Sequence, residues 1–216
     1  MLVVTGCGKK KVRVNPVAGV QQPSLNKRDV QAEVGHTQRG AASWYGHPYH
    51  GRQAADGETY DMETMVAAHR TLPFQTWVRV RNVSNDKTVD VRIIDRGPFV
   101  DGRIIDLSHA AAQQIDLIGP GVAQVELTVI AAPSNPEAAL FAVQVGVFRE
   151  RANADGLQQS LAAMYGAAKI VERPGSPSMW RVLAGRETSA DAAEALAQRI
   201  RGERHVPEAF VVRLDP

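Results

Sequence analysis

The alternation of apolar and polar residues predicts a strand-rich first region. Between residues 40 and 130, short apolar runs are separated by turn residues, and runs such as VDVRII and QVELTVI alternate as β-strands do. The pattern predicts strands at 76–80, 88–94 and 123–130, and short helices at 62–69 and 108–115. This combination indicates a compact, mainly-β barrel.

The order of elements changes after residue 136. A β-α-β-β-α-β order is the split βαβ unit, an antiparallel four-stranded sheet with both helices on one face and the other face free to bind a ligand. The predicted strands are 141–148, 169–172, 180–184 and 209–214, and the predicted helices are 151–165 and 189–201. The whole chain is predicted to consist of a leader 1–39, a barrel 40–130, a linker 131–136 and a second domain 137–216.

The charge distribution argues against a nucleic-acid partner. The chain has a net charge of +2, and residues 1–39 hold seven Lys and Arg against two Asp and Glu. The balance is eight against eleven in 40–136 and ten against ten in 137–216. Neither predicted domain has the basic surface that binds phosphates, and the second lacks the aromatic signature of an RNA-recognition module.

The single cysteine, Cys7, follows a small-residue run, VTGC, that is similar to the cleavage and acylation site of bacterial lipoproteins. Only six residues precede it, and a signal peptide needs a basic start and a longer apolar run. Two interpretations stay open. Cys7 carries a lipid anchor to the outer membrane, with 8–38 as a flexible tether, or it is a free thiol in a disordered leader.

The sequence RIID occurs twice and ends in Asp95 and in Asp106. Cleavage of a glycosidic bond needs a protonated acid, and burial against apolar neighbours favours the protonated form of a carboxyl group. Asp95 follows two isoleucines at a predicted strand end, which suits an acid that projects into a groove. A guanidinium of Arg96 close to it would instead favour the carboxylate. Asp106 precedes a predicted helix, where an acid satisfies free amides, so its predicted role is structural and behind the site.

Five separated motifs resemble the rare lipoprotein A family of septal-ring lytic transglycosylases. They are ASWYG at 42–46, ADGETYD at 55–61, AAHRTLPF at 67–74, DRGPF at 95–99 and IDLS at 105–108. The resemblance implies a six-stranded double-psi β-barrel like those of barwin and expansins. It also implies cleavage of the MurNAc-GlcNAc β-1,4 bond in glycan strands without stem peptides, with formation of 1,6-anhydroMurNAc ends.

The same resemblance implies roles for three residues. Asp95 is the general acid and then the base, and Glu58 and His69 share its cleft and relay a proton or orient Asp95. Each residue also has a structural alternative. Residues 95–98 suit a turn with an internal ion pair, His69 suits the end of a helix, and Glu58 suits a surface turn.

Further residues are predicted to bind the sugar. Ser43, Trp44 and Tyr45 are expected to line the groove beside Arg96, with a core position as the alternative for Trp44. The neighbouring pair His47 and His50 lies in a Gly- and Pro-rich loop without cysteine, so neither a metal nor another cofactor is predicted.

The runs FAVQVGVF and WRVLAG resemble the SPOR domain, which implies a ferredoxin-like fold that binds peptide-free glycan at division sites. By alternation, Gln144, Gly146 and Phe148 face one side of a strand, and Trp180 on a neighbouring strand stacks on the sugar. The alternative is that Phe148 and Trp180 pack under the helices as core.

The predicted protein is therefore a periplasmic lytic transglycosylase, anchored to the outer membrane and enriched at the septum. It would remodel the septal wall during daughter-cell separation, with glycan strands and divisome proteins as partners. Two other hypotheses are a non-catalytic, expansin-like peptidoglycan-binding protein and a divisome scaffold.

Overall fold

The structure is a computed structural model that describes residues 33–133, 140–173, 177–204 and 209–214. Residues 1–32, including Cys7, and residues 134–136 of the predicted linker lie outside the described residues. Within the described ranges, no helix is both long and apolar enough to cross a membrane.

The first part of the chain forms a closed six-stranded barrel. Its strand order is β1-β5-β2-β4-β3-β6, with β1 parallel to β5, β2 parallel to β4, and the other pairs antiparallel. The elements are β1 (Thr37–Tyr45), β2 (Val66–His69), β3 (Trp77–Asn82), β4 (Thr88–Asp95), β5 (Arg103–Ser108), α1 (His109–Gln114) and β6 (Val122–Ala131). This architecture confirms the predicted mainly-β barrel of six strands.

Alternating side chains build the core of the barrel. On β3, Val78 and Val80 point inward and are fully buried, whereas the intervening Arg79 is exposed. The same alternation on β4 buries Val91 and Ile93. Each strand thereby places one face in the core and the other towards solvent, as the sequence pattern predicted.

Three local predictions for the barrel were wrong. The predicted helix 62–69 contains strand β2, whose four residues are all buried, so that its sequence shows no alternation. Strand β1 begins at Thr37, inside the segment predicted to be a tether. Asp106 does not satisfy the free amides of helix α1, as was predicted, because it lies within β5. The Ser108 hydroxyl caps helix α1 instead, by accepting the Ala111 N–H.

The second domain is an antiparallel sheet of order β10-β7-β9-β8 with two helices. Its elements are β7 (Leu140–Phe148), α2 (Arg151–Tyr165), β8 (Ala168–Arg173), β9 (Met179–Glu187), α3 (Ala190–Arg204) and β10 (Phe210–Leu214). Leu161 of α2 and Ile200 of α3 are fully buried between the helices and the sheet. The order confirms the predicted ferredoxin-like fold.

A bulge in β7 changes which side chains share a face. The register shifts between Gln144 and Gly146, and a Cβ on Gly146 would lie 2.8 Å from the Phe148 ring and 3.0 Å from Leu157 of α2. Gly146 and Phe148 therefore face the helices, together with Trp180, whereas Gln144 accepts a hydrogen bond from Arg181 on the open face. The prediction that Gln144 and Phe148 share a face was wrong, and Phe148 and Trp180 follow the core alternative.

The open face of this sheet packs against the barrel. Phe99, just after β4, contacts an apolar cluster of Ala142, Leu183 and Val212 from three strands of the second domain. The backbone N–H of Arg213 also donates to the carbonyl of Arg70 at 3.0 Å. The face that was predicted to be free is thus covered by the end of the barrel that carries Asp95.

Candidate active site

Four side chains form a row across one face of the barrel. The strand registers pair Ser43 with Asp106, Asp106 with Ala68, and Ala68 with Asp95. Directly paired residues in a sheet point to the same face, so this carboxyl row places two acids on either side of one alanine methyl group. Because the side chain of Ala68 is short, no bulky group separates the two carboxyl groups, and each lies in the electrostatic field of the other.

Asp95 ends β4 and is held by groups from both domains. Its Oδ1 accepts the backbone N–H of Arg96 at 2.8 Å and that of Ala55 at 3.2 Å. Its Oδ2 accepts a hydrogen bond from the Arg173 guanidinium at 3.2 Å. Only 8% of the Asp95 side chain is exposed, and both of its oxygens act as acceptors in this arrangement.

Arg96 has a different environment from the one predicted. Its guanidinium donates to the carbonyls of His69 at 3.0 Å and Leu72 at 2.9 Å and lies 3.8 Å above the Phe74 ring. The residue is 5% exposed. Arg96 therefore fixes the turn after β2, which does not agree with its predicted role in sugar binding.

Asp106 is the second acid of the carboxyl row, with 18% of its side chain exposed compared with 8% for Asp95. Burial raises its pKa, although a short hydrogen bond from the Ser43 hydroxyl and the nearby Arg103 act in the opposite direction. The Nε of Arg103 lies 3.9 Å from Oδ1 of Asp106. Asp106 thus binds a proton more tightly than an ordinary aspartate, a property that the sequence prediction of a structural acid did not include.

Glu58 is an ionised carboxylate. Arg92 donates two hydrogen bonds to its two oxygens, at 2.6 and 2.8 Å, and Gln75 donates a third at 3.1 Å. The bonds from Arg92 are the main reason that its pKa falls to about 2. A carboxyl group in this state accepts hydrogen bonds at neutral pH and has no proton to relay.

His69 is a buried neutral imidazole. Its Nδ1 accepts the backbone N–H groups of Thr71 at 3.2 Å and Leu72 at 3.0 Å, and its Nε2 lies 3.0 Å from Oε1 of Gln38. Burial lowers its pKa to about 3, and the charges of Arg70 and Arg96 add to this effect. Both ring nitrogens have partners, so these contacts do not support a proton relay from His69 to Asp95.

Two tyrosines lie next to the carboxyl row. The rings of Tyr45 and Tyr60 stack at 4.2 Å, and the Tyr60 hydroxyl donates to the Tyr45 carbonyl at 2.5 Å. The Tyr45 hydroxyl is buried without a hydrogen-bond partner among the described residues, and burial raises its pKa. Trp44 was predicted to line the groove or, alternatively, to be a core residue. It packs on the barrel core and against His109, which agrees with the core position.

Comparisons with known proteins match both domains. A family profile described as "Lytic transglycolase" matches residues 37–127, which contain the carboxyl row, and a SPOR domain profile matches residues 137–213. The endolytic peptidoglycan transglycosylase RlpA of Vibrio cholerae is 37% identical over 182 residues, which cover 81% of this chain and 68% of that protein. The chain belongs to the RlpA family.

Other relatives match a smaller part of their own length. RlpA of Campylobacter jejuni is 41% identical over 157 residues, which cover 61% of this chain and 56% of the relative. Among solved structures, an expansin of Clavibacter michiganensis is 20% identical and covers 51% of this chain and 58% of its own, with a TM-score of 0.37. That structural similarity is weak.

Two groups beside Asp95 in this RlpA-family protein were not predicted from its sequence. Tyr60 lies two positions after Glu58 in one of the motifs, so the aromatic residue was visible although its stacking on Tyr45 was not. Arg173 reaches Asp95 across 78 positions from another domain, and no local pattern indicates such a contact.

Proposed function

We propose that this protein is an endolytic lytic transglycosylase that cleaves the MurNAc-GlcNAc β-1,4 bond of peptide-free glycan strands. The observation that carries the proposal is the position of Asp95, an acid in the wall of a cavity that Tyr45 and Tyr49 also line. Tyrosine rings suit sugar faces because they offer an apolar surface and a hydroxyl group. The names of the relatives support the same reaction.

Asp95 acts first as an acid and then as a base. It transfers its proton to the oxygen that bridges the two sugars while the bond from that oxygen to the anomeric carbon of muramic acid breaks. The 6-hydroxyl of the same muramic acid then bonds to the anomeric carbon and returns a proton to Asp95. No water is consumed, and the product has a 1,6-anhydro end.

The neighbouring groups prepare Asp95 for this step. The carboxyl of Asp106, across Ala68, shares a row with Asp95, and its pKa is raised by burial and by the charge of Asp95, so Asp106 can hold a proton beside the acid. Arg92 holds Glu58, which lies in the loop whose Ala55 N–H binds Asp95, and His69 accepts two N–H groups of the turn after β2. Glu58 and His69 are positioning residues in this proposal, in place of the relay expected from the sequence.

The second domain supports a location in the cell wall. SPOR profiles and RlpA relatives are consistent with peptidoglycan as the binding partner and with the periplasm as the compartment. Enrichment at the septum, divisome partners and an outer-membrane anchor on Cys7 are the finer parts of this proposal.

A glycan-binding protein without cleavage is the second candidate. It is favoured by one observation, which is that both oxygens of Asp95 accept hydrogen bonds in the structure, one of them from the guanidinium of Arg173. The two candidates differ in the products that they leave on the strand, so one experiment separates them.

That experiment is mass spectrometry of amidase-treated glycan strands after incubation with the wild-type protein, with Asp95→Asn and with Asp90→Asn. We expect anhydroMurNAc ends from the wild type and a loss of about 10²- to 10⁴-fold with Asp95→Asn, the usual contribution of a general acid. Asp90 is the matched control because it lies on the same strand, on the outer surface, paired with Arg79.

Strands that stay intact with the wild type but sediment with it would establish the binding protein instead. Equal loss with both variants would show that the effect of Asp95→Asn is not specific to the site.

A further inference from the structure

A cavity of about 340 Å³ lies between the barrel and the second domain. Among the described residues that line it, Asp95 is the one acid and four are arginines: Arg52, Arg149, Arg173 and Arg181. A cavity with this excess of cationic groups fits a ligand that carries negative charge. Its tyrosine walls fit a sugar, so the lining favours an acidic sugar over a neutral one.

Arg173 is the cation best placed to bind such a ligand. Its guanidinium contacts Asp95 and lies 5.7 Å from the centre of the Tyr49 ring. The side chain is 38% exposed, compared with 8% for Asp95, so its remaining donors can be reached from the cavity. Guanidinium groups bind carboxylates strongly because both are planar and charged.

The Tyr45 hydroxyl is a second, independent sign of a ligand. Tyr45 lines the cavity, and its hydroxyl is buried and has no hydrogen-bond partner among the described residues. A buried polar group without a partner is costly, and a sugar hydroxyl or acetamido group supplies one. The cavity therefore offers a charged contact and a neutral polar contact to the same ligand.

We propose that this cavity binds a muramic acid residue with a free lactyl carboxylate, and that Arg173 exchanges Asp95 for that carboxylate when the ligand binds. The inference rests on the proposed function, because it assigns the substrate group that the second domain recognises. Muramic acid carries this charge only after its stem peptide has been removed, since the peptide converts the carboxylate into a neutral amide.

The exchange also frees the acid. In the structure, Arg173 and two backbone amides occupy the oxygens of Asp95. When Arg173 turns to the ligand carboxylate, Oδ2 of Asp95 loses this donor and can contact the sugar instead. Binding of a peptide-free muramic acid thereby opens Asp95 to the glycosidic bond.

The test compares tetrasaccharides of alternating GlcNAc and MurNAc whose lactyl groups are either free acids or neutral methylamides. We expect the wild type to cleave the free acid about tenfold faster or more, a typical effect of one charge-assisted contact. Arg173→Gln should reduce this preference to less than about twofold, and Arg173→Lys should retain part of it. Arg199→Gln, on the helix side of the same domain, is the control and should keep the full preference.

Binding gives a readout that does not depend on cleavage. With Asp95→Asn, which should not turn over the ligand, calorimetry should show the same preference for the free acid, and the Asp95→Asn/Arg173→Gln double variant should lack it. Equal binding of both ligands, or a preference that survives Arg173→Gln, would overturn the inference. Selective binding without any cleavage by the wild type would instead overturn the proposed function and leave the recognition of the carboxylate standing.

Discussion

The two domains differ in where their charged side chains find partners. The barrel satisfies two of its acids with its own groups: Glu58 pairs with Arg92, and Asp106 accepts a hydrogen bond from the Ser43 hydroxyl. The second domain directs Arg173 from its open sheet face to an acid of the barrel. A closed barrel has no free sheet edge or uncovered inner face, whereas an open four-stranded sheet leaves one face that needs a cover. The second domain therefore obtains part of its native contacts from its neighbour.

Matched core deletions in the two domains should change stability more than any other substitution proposed for this protein. Ile105 in the barrel and Leu161 in the second domain are both fully buried. Replacing either with Ala should lower the free energy of unfolding of its own domain by about 3 kcal/mol, through lost burial and a cavity. Urea unfolding followed by hydrogen exchange and mass spectrometry resolves the two domains.

We expect faster exchange with Ile105→Ala in the barrel strands, and with Leu161→Ala in β7 to β10. Equal acceleration in both domains by either variant would show that they unfold as one unit, and the comparison would fail.

The pH dependence of the barrel is the next largest effect. Its buried His69 has a pKa of about 3, below the ordinary 6.5, because burial opposes the charged form. The unfolded chain binds this proton below about pH 6.5 and the folded barrel does not. Stability is therefore fully present above pH 6.5 and falls as the pH drops towards 3, by about 2 kcal/mol at pH 5.

Urea midpoints between pH 7.5 and pH 5 check this effect, and the loss should appear in barrel strands. His69→Gln cannot take up the proton and should flatten the slope even though it lowers stability at pH 7.5. A slope that is unchanged in this variant would assign the pH dependence to other groups.

The smallest effect concerns the contact between the domains. Phe99 is partly exposed and packs on the apolar face formed by Ala142, Leu183 and Val212. Phe99→Ala should cost about 1 kcal/mol, because only part of a ring is lost from contact. Hydrogen exchange should increase in β9 and β10 and stay constant in α2, and an unchanged β10 would show that the sheet does not need this cover.

The sequence predicted those strands of the barrel that bury one face. Strand β4 alternates between Val89, Val91 and Ile93 inside and polar residues outside, so its period of two was visible. Strand β2 buries all four residues and β5 buries Ile104 and Ile105 in succession, so neither shows that period. The two alanines of β2 favoured a helix for the same segment.

The same limits apply to the site. The motif around Asp95 predicted an acid at a strand end beside a groove, and the structure places Asp95 at the end of β4 in the wall of a cavity. The bulge after Gln144 reversed the direction of Phe148, and no composition rule predicts an extra residue in a strand. The contact from Arg173 depends on how two domains meet, which is a property of their surfaces.

The contact between Arg173 and Asp95 means that the protein carries its own carboxyl group, which competes with a ligand carboxylate for Arg173. A tethered group has an effective concentration set by the covalent connection, so it competes at the same strength however dilute the protein is. The apparent affinity for a glycan then reports the difference between binding the sugar and breaking the internal contact. An isolated second domain, without Asp95 in front of its arginines, would therefore bind an acidic sugar more tightly than the intact chain does.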